Sequence, residues 1–214
     1  MNLNKIKLMP AREQAASALR KAILAKELET GAIITLDEIS KLLGISITPV
    51  REAFQILAGE GLIKLRPNKG AMILGINEKD IRDHYETRCI LESEIIYKVC
   101  KNNADITKVL DAFDHAKEAL KSNDYSEYSK YNQSFHYEIW TAGQNEKIRS
   151  LLSSMWNGLS MGNNVGVEEY AQISMKEHTQ IVEALKKRDA ELSKKLMSEH
   201  IMRSMENMLT HYKI

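Results

Sequence analysis

Apolar residues recur three and four apart over 11–28, where Ala15, Ala18, Leu19, Ala22 and Ile23 share one face, so this stretch is expected to be a helix broken by Gly31. A second helix is expected to open at Thr35. Thr35 and Glu38 can form a capping box there, hydroxyl and carboxylate each satisfying one free backbone N–H. This helix turns Leu36, Ile39, Leu42 and Leu43 inward and stops at Gly44, a residue suited to a left-handed cap. Ser46 or Thr48 caps a third helix, with Pro49 tolerated in its first turn, running through Val50, Ala53, Phe54 and Leu57 to about Glu60. The period then changes. LIKL and AMIL read as short strands about the tip RPNKG, which is rich in turn residues.

After Gly75 the pattern is helical throughout and contains no proline. Helices are expected near 78–102, 105–122, 124–142, 145–161, 168–188 and 189–212, with breaks at Asn102–Asn103, Ser122–Asn123, Gly143, Gly162–Gly166 and Asp189. Such short breaks imply antiparallel neighbours and hence a bundle. No repeat of solenoid period is evident. The fold expected is therefore mainly α: a winged helix-turn-helix over 1–75, then an all-α antiparallel bundle over 76–214. Two helices joined at Gly44 and followed by a hairpin make that winged helix, although a small α+β domain that binds protein has the same outline.

Composition adds little beyond an ordinary globular chain, at 43% hydrophobic and 28% charged residues. No apolar run reaches the ~20 residues of a membrane span, and the first residues hold no apolar core of secretory-signal length. A cytoplasmic protein is expected, with no membrane partner and with Cys89 and Cys100 as free thiols. Charge is more informative. Residues 1–75 carry eleven Lys and Arg against seven Asp and Glu, a net of +4, whereas the remainder carries −3. A basic front half suits contact with phosphates, though a solvated surface can give the same values.

The second helix of a helix-turn-helix enters the major groove, and its first residues meet base edges. Thr48 can bond phosphate or base, and Arg51 can fork onto guanine or clamp a phosphate. Lys69 at the hairpin tip can reach the backbone or the minor groove. The candidate DNA-binding set is Ser46, Thr48, Pro49 and Arg51 from the helix, with Arg66, Asn68, Lys69 and Gly70 from the hairpin. Any one of these charges, taken alone, also fits a solvated surface.

The segment TPVREAFQILAGEGLIKLRPNKGAMIL, with LRKAILAKELETGAIIT and LDEISKLLGIS before it, resembles the recognition helix and wing of the GntR family of bacterial regulators. The helical second half resembles the FadR-type effector domain called FCD. The resemblance implies a dimeric, metabolite-responsive transcription factor, often a repressor. Two positions depart from it. Ile47 stands where an arginine commonly precedes the Thr-Pro pair, and Asp37 where the second helix often carries arginine. Both departures remove DNA contacts that the resemblance would imply.

Asn132 and His136 lie four apart on a face shared with Tyr128, Phe135 and Ile139. His178 precedes Ile181, Val182 and Leu185, and His200 shares a face with Leu192 and Leu196. Three inward histidines and an amide oxygen can converge on one divalent ion, zinc or nickel being suited to imidazole. They can equally be separate core or surface groups, since they form no short ligand motif. The resemblance favours the ion: FCD domains carry an Asp/Asn-x-x-x-His pair and two later histidines, matched by NQSFH, EHTQIVEAL and SEHIMRSM. Asn132 stands where Asp is frequent and brings no charge, which implies a weakened site. In YETRCILE, Arg88 can pair with Glu92 one turn on. The resemblance instead implies a pocket arginine gripping a small organic acid, with Tyr85 beside it. His84, His115 and His211 are expected to be ordinary solvated histidines.

These features point to a regulator that binds operator DNA as a homodimer and responds to a carboxylate effector. The alternative is a metal-dependent enzyme using the three histidines, but no carboxylate stands where a zinc hydrolase places its general base. A third reading is an interaction module without regulated DNA binding, which Ile47 favours.

Overall fold

The computed structural model describes residues 10–67, 69–156 and 167–211. The chain divides into two compact units, Met1–Asn77 and Glu78–Ile214. In the first, α1 (Ala11–Leu24) precedes β1 (Ile33–Ile34), α2 (Leu36–Leu43), α3 (Ile47–Gly59) and the hairpin β2 (Ile63–Arg66) and β3 (Gly70–Ile73). α1 stops four residues before the periodicity does, because Lys26 adopts a left-handed backbone with φ 57°. The N–H groups of Glu27 and Leu28 then both turn back to the Ala22 carbonyl.

The helix-turn-helix forms as its caps dictate, but of the four residues expected inward from α2 only Ile39 is buried, and Leu42 is 80% exposed. The Thr35 hydroxyl accepts from the Glu38 N–H while the Glu38 carboxylate accepts from the Thr35 N–H, and Gly44 takes the left-handed cap at φ 64°. Ser40 Oγ donates to the Ile45 carbonyl at 2.6 Å, which braces the turn. Ser46 occupies the N-cap of α3, but its side chain makes no capping bond. Val50, Ala53, Phe54 and Leu57 are buried from α3. Arg20, also buried, reaches across from α1 to grip both oxygens of Glu60 at 2.8 and 2.6 Å, fixing the far end of α3.

The hairpin pairs Ile63 with Ile73, Leu65 with Ala71 and Arg66 with Gly70, each strand lying one residue nearer the tip than expected. β1 adds a third, antiparallel strand to give the order β1-β3-β2. Gly70 is required where it stands. Its φ is 83°, and a Cβ there would lie 2.1 Å from the Ile34 carbonyl oxygen of β1.

The second unit contains α4 (Glu78–Lys101), α5 (Thr107–Lys121), α6 (Tyr125–Ala142), α7 (Glu146–Trp156), α8 (Val167–Lys186) and α9 (Ala190–His211). These helices fall within a few residues of the periodic segments, apart from the end of α7 and the break at Gly162–Gly166, which lie outside the described residues. Asn103, Asn123, Gln144 and Arg188 carry the turns with positive φ. α4 and α9 run antiparallel: Cys89 meets Ser198, Glu94 meets Lys194, and Cys100 meets Ser193. Both cysteines are free thiols. Gly143 permits α6 to approach α4, since a Cβ there would strike Ile95 Cδ1 at 2.3 Å. No described helix is long and apolar enough to cross a membrane.

Candidate functional site

Three helices of the second unit bring His136, His178 and His200 together. Each is buried, and one ring nitrogen from each lies within 4.8 Å of the others. His136 projects from α6 beside Phe135 and Ile139, both fully buried, as the apolar face implied. His200 is held differently from the expectation. Its supposed companion Leu192 is 40% exposed, and the buried face of α9 is Met197, Ile201 and Met205 instead. Aromatic rings wall the cluster: Phe135 packs on His178 at 4.4 Å and Trp156 on His136 at 4.9 Å.

Two glutamates set the tautomers. Glu92 Oε2 lies 2.7 Å from His136 Nδ1, and Glu177 Oε2 lies 2.6 Å from His200 Nδ1. A carboxylate at that distance requires the proton on Nδ1, which turns the Nε2 lone pair of each ring away from its glutamate. Burial alone would raise both carboxyls. For Glu92 the Arg88 charge and His136 outweigh burial; for Glu177 the hydrogen bonds from His200 and Arg203 do so. Both are held at about 2. Burial pushes His178 well below its ordinary value, helped by its histidine neighbours, and pushes His200 down to about 4 against the pull of Glu177. These two imidazoles are neutral near pH 7, the form that ligates metal.

Two of the three donors stand at the spacing of ligands to one divalent ion, while the three together spread over 4.8 Å. His178 Nε2 and His200 Nε2 stand 3.2 Å apart. Two nitrogens each ~2.0–2.1 Å from one tetrahedral ion would stand about 3.3 Å apart. Asn132 lies one turn before His136, and its Oδ1 is buried without a hydrogen-bond partner. An orphaned buried carbonyl oxygen one turn from His136 is open to a water or an ion.

Arg88 is buried, and its Nε and Nη2 both meet Glu92 Oε1, at 2.9 and 2.8 Å. The one-turn ion pair is thus present, but as an interior pair behind His136 and not as a surface pair. Its guanidinium also lies over the rings of Tyr85 and Trp156, at 5.3 and 4.8 Å. Tyr85 is buried, and burial pushes its hydroxyl far up, so it stays protonated. Arg203 repeats the arrangement on the other side. It donates to Glu177 at 2.9 and 2.6 Å and to Ser174 Oγ at 2.8 Å, over the ring of Tyr170 at 4.8 Å. His84 is not the solvated group expected: it is only partly exposed, and burial, with Arg88 nearby, pushes its pKa down to about 3. His115 is exposed and stacks on Tyr131. The His211 side chain lies outside the described residues.

In the first unit, Ser46, Thr48 and Arg51 are exposed at the start of α3 and Pro49 is half-buried. Ile47 and Gln55 share the exposed side with Arg51, at four-residue intervals. Lys69 is exposed at the hairpin tip and Arg66 is half-buried, while Asn68 lies outside the described residues.

Residues 83–203 match the family described as the FCD domain, and residues 11–73 match that of the bacterial regulatory proteins of the gntR family. The chain belongs to the GntR family. Among its relatives, the gluconate operon transcriptional repressor of Bacillus subtilis is 31% identical over 151 residues, covering 68% of this chain and 59% of the relative. The probable D-xylose utilization operon transcriptional repressor of Paenarthrobacter nicotinovorans is 29% identical over 205 residues, covering 89% of this chain and 87% of the relative. The chain thus spans about 59% of the length of the gluconate repressors it matches. GntR-type structures share the fold. Escherichia coli McbR/YncC superposes with a TM-score of 0.72 at 17% identity, covering 96% of this chain and 100% of that one. A structure from Rhodococcus sp. RHA1 gives 0.70 at 23%, covering 94% and 99%.

Sequence reasoning left out Glu177, Arg203, Trp140 and Trp156 of this GntR chain's helical unit, and took Glu92 only as the partner of Arg88. Trp140 Nε1 donates to Glu92 Oε2 at 3.1 Å, so that carboxylate is satisfied on both oxygens. A signal existed: Glu92 falls among the buried Tyr85, Arg88, Ile95, Ile96 and Val99 of α4, and a carboxylate on such a face needs a cationic or N–H partner.

Proposed function

We propose that this GntR-family chain is a transcription regulator, most simply a repressor, that binds operator DNA as a homodimer and takes a divalent metal with a small carboxylate effector in its FCD unit. The observation that carries the reading is the buried three-histidine cluster with carboxylate-fixed rings, in a chain whose other unit is a winged helix. Thr48, Arg51 and Lys69 would meet the DNA. His136, His178, His200 and Asn132 would hold a zinc- or nickel-like ion, which supplies a Lewis-acidic position for an anionic ligand.

Charge supports an acid as that ligand. Arg88 with Glu92, and Arg203 with Glu177, cancel in pairs. Imidazoles bound to a metal are neutral, so they and an amide would add nothing. A divalent ion would therefore leave two uncompensated positive charges in a buried site, which is costly unless an anion enters with it. Tyr85 and Arg88 would receive its far end. Glu92 and Glu177 act as positioning residues, each holding one histidine ring.

Switching requires the effector to favour one of two dimer geometries, so it must shift DNA affinity by its differential binding. A chain that works on operator DNA belongs in the cytoplasm. The enzyme reading is set aside, since the family is one of regulatory proteins.

The test is DNA affinity by fluorescence anisotropy, using duplexes selected in vitro, across a salt series and with zinc, nickel, citrate and gluconate as probes. The names of the relatives make gluconate a first choice. Affinity should fall steeply with salt and should change on adding metal together with one of the acids. Binding indifferent to salt would contradict the DNA reading. Binding indifferent to every metal and acid would contradict the effector reading.

A further inference from the structure

From the exposed face of α3 we infer that Ile47 is a specificity-determining residue that reads a thymine methyl group in the major groove. The inference rests on the DNA-binding reading above and adds to it the identity of a base and the group on that base.

Ile47 is the first residue of α3, directly after the N-cap Ser46. The core side of α3 is accounted for by Val50, Ala53, Phe54 and Leu57, all at 2% exposure or less. Ile47 is not among them. It remains 37% exposed, and its flanks Ser46 and Thr48 are exposed as well. A β-branched aliphatic residue at the start of a helix gains nothing from propensity. That exposed third lies at the position of a recognition helix that enters the groove first, an apolar surface awaiting an apolar partner.

The major groove offers one such partner. Of the four bases only thymine presents a methyl group on its edge; the other groups there are hydrogen-bond donors and acceptors, which isoleucine cannot satisfy. Setting Ile47 against guanine, adenine or cytosine would desolvate polar atoms without return. Against thymine it buries methyl on methyl.

The spacing to Arg51 fixes where that thymine should lie. Ile47 and Arg51 are one turn apart on the exposed side. Four residues rise about 6 Å along a helix, and successive base pairs are about 3.4 Å apart. The thymine is therefore expected about two base pairs from the base that Arg51 contacts. One apolar reader and one cationic reader, set a turn apart, would specify a different half-site from two arginines.

The experiment removes the methyl and nothing else. A duplex selected in vitro with the full-length protein is resynthesised with each thymine in turn replaced by deoxyuridine, and affinity is measured for wild type and Ile47→Ala. One replacement per half-site should weaken wild-type binding about fourfold, the effect of one buried methyl-sized group. The same replacement should leave Ile47→Ala unaffected. Ile47→Arg should shift selection at that position from thymine to guanine. Wild type indifferent to every replacement, or Ile47→Ala keeping the same penalty, overturns the inference while leaving DNA binding intact. Failure to select any duplex overturns the DNA-binding reading itself, and this inference with it.

Discussion

Each outer histidine of the cluster is held by a carboxylate before any ion arrives, and each carboxylate is held by an arginine. This chain of contacts makes a specific prediction for Glu177. Glu177→Gln keeps the shape but loses the charge that fixes the His200 Nδ1 proton, so zinc affinity measured by calorimetry should fall ~10–100-fold. A variant that titrates like wild type would show the glutamate to be a packing group only. The ligand residues should behave more sharply. After incubation with zinc or nickel at neutral pH, elemental analysis should find the metal in wild type and lose it in His178→Ala and His200→Ala. Asn132→Asp should retain it more tightly by returning an anionic oxygen; an unchanged affinity would remove residue 132 from the ligand set. His136 was legible in the sequence as an imidazole on an apolar face, whereas the face given for His200 was wrong and the family resemblance carried that residue. Glu177 and Arg203 were not legible, because a glutamate 23 residues from His200 in sequence, and an arginine 26 from that glutamate, read as ordinary helix-surface charges until the helices pack.

Among the elements, the local signals with a defined geometry gave the right structure. The Thr35–Glu38 box and the Gly44 cap bound α2 as their chemistry requires, and the helices of the second unit follow their 3.6-residue period closely. Thr35→Ala should therefore cost about 1 kcal/mol in chemical denaturation, with the far-UV signal of the folded state unchanged. A cost near zero would mean that packing, and not the cap, sets the start of α2. Elements without a local signature were missed. β1 is two residues long and exists only through its pairing of Ile33 with Met72 and Ile34 with Ala71. The early end of α1 depends on Lys26 taking a left-handed backbone, which a lysine does not announce. The Arg20–Glu60 clamp, 40 residues apart in sequence, likewise comes from the packing of α1 on α3.

At the scale of the whole molecule, function joins two units that the structure describes separately. A homodimer is expected, so sedimentation at micromolar concentration should give about twice the 24.4 kDa of the chain. A monomer with and without DNA would contradict it. Metal bound to the native cluster should raise the melting temperature by linkage, and a chelator should lower it again. A melting temperature unmoved by either would mean that the cluster is a polar core without an ion. The central claim is that α3 gives this GntR chain its sequence-specific hold on DNA. The most direct test incubates purified wild type and Arg51→Ala with sheared genomic DNA of the source organism and sequences the retained fragments. Wild type should enrich a few fragments sharing a short inverted repeat, and Arg51→Ala should lose that enrichment, consistent with ~1–3 kcal/mol for a bidentate base contact. No enrichment by wild type, or the same fragments retained equally by both proteins, would contradict the account.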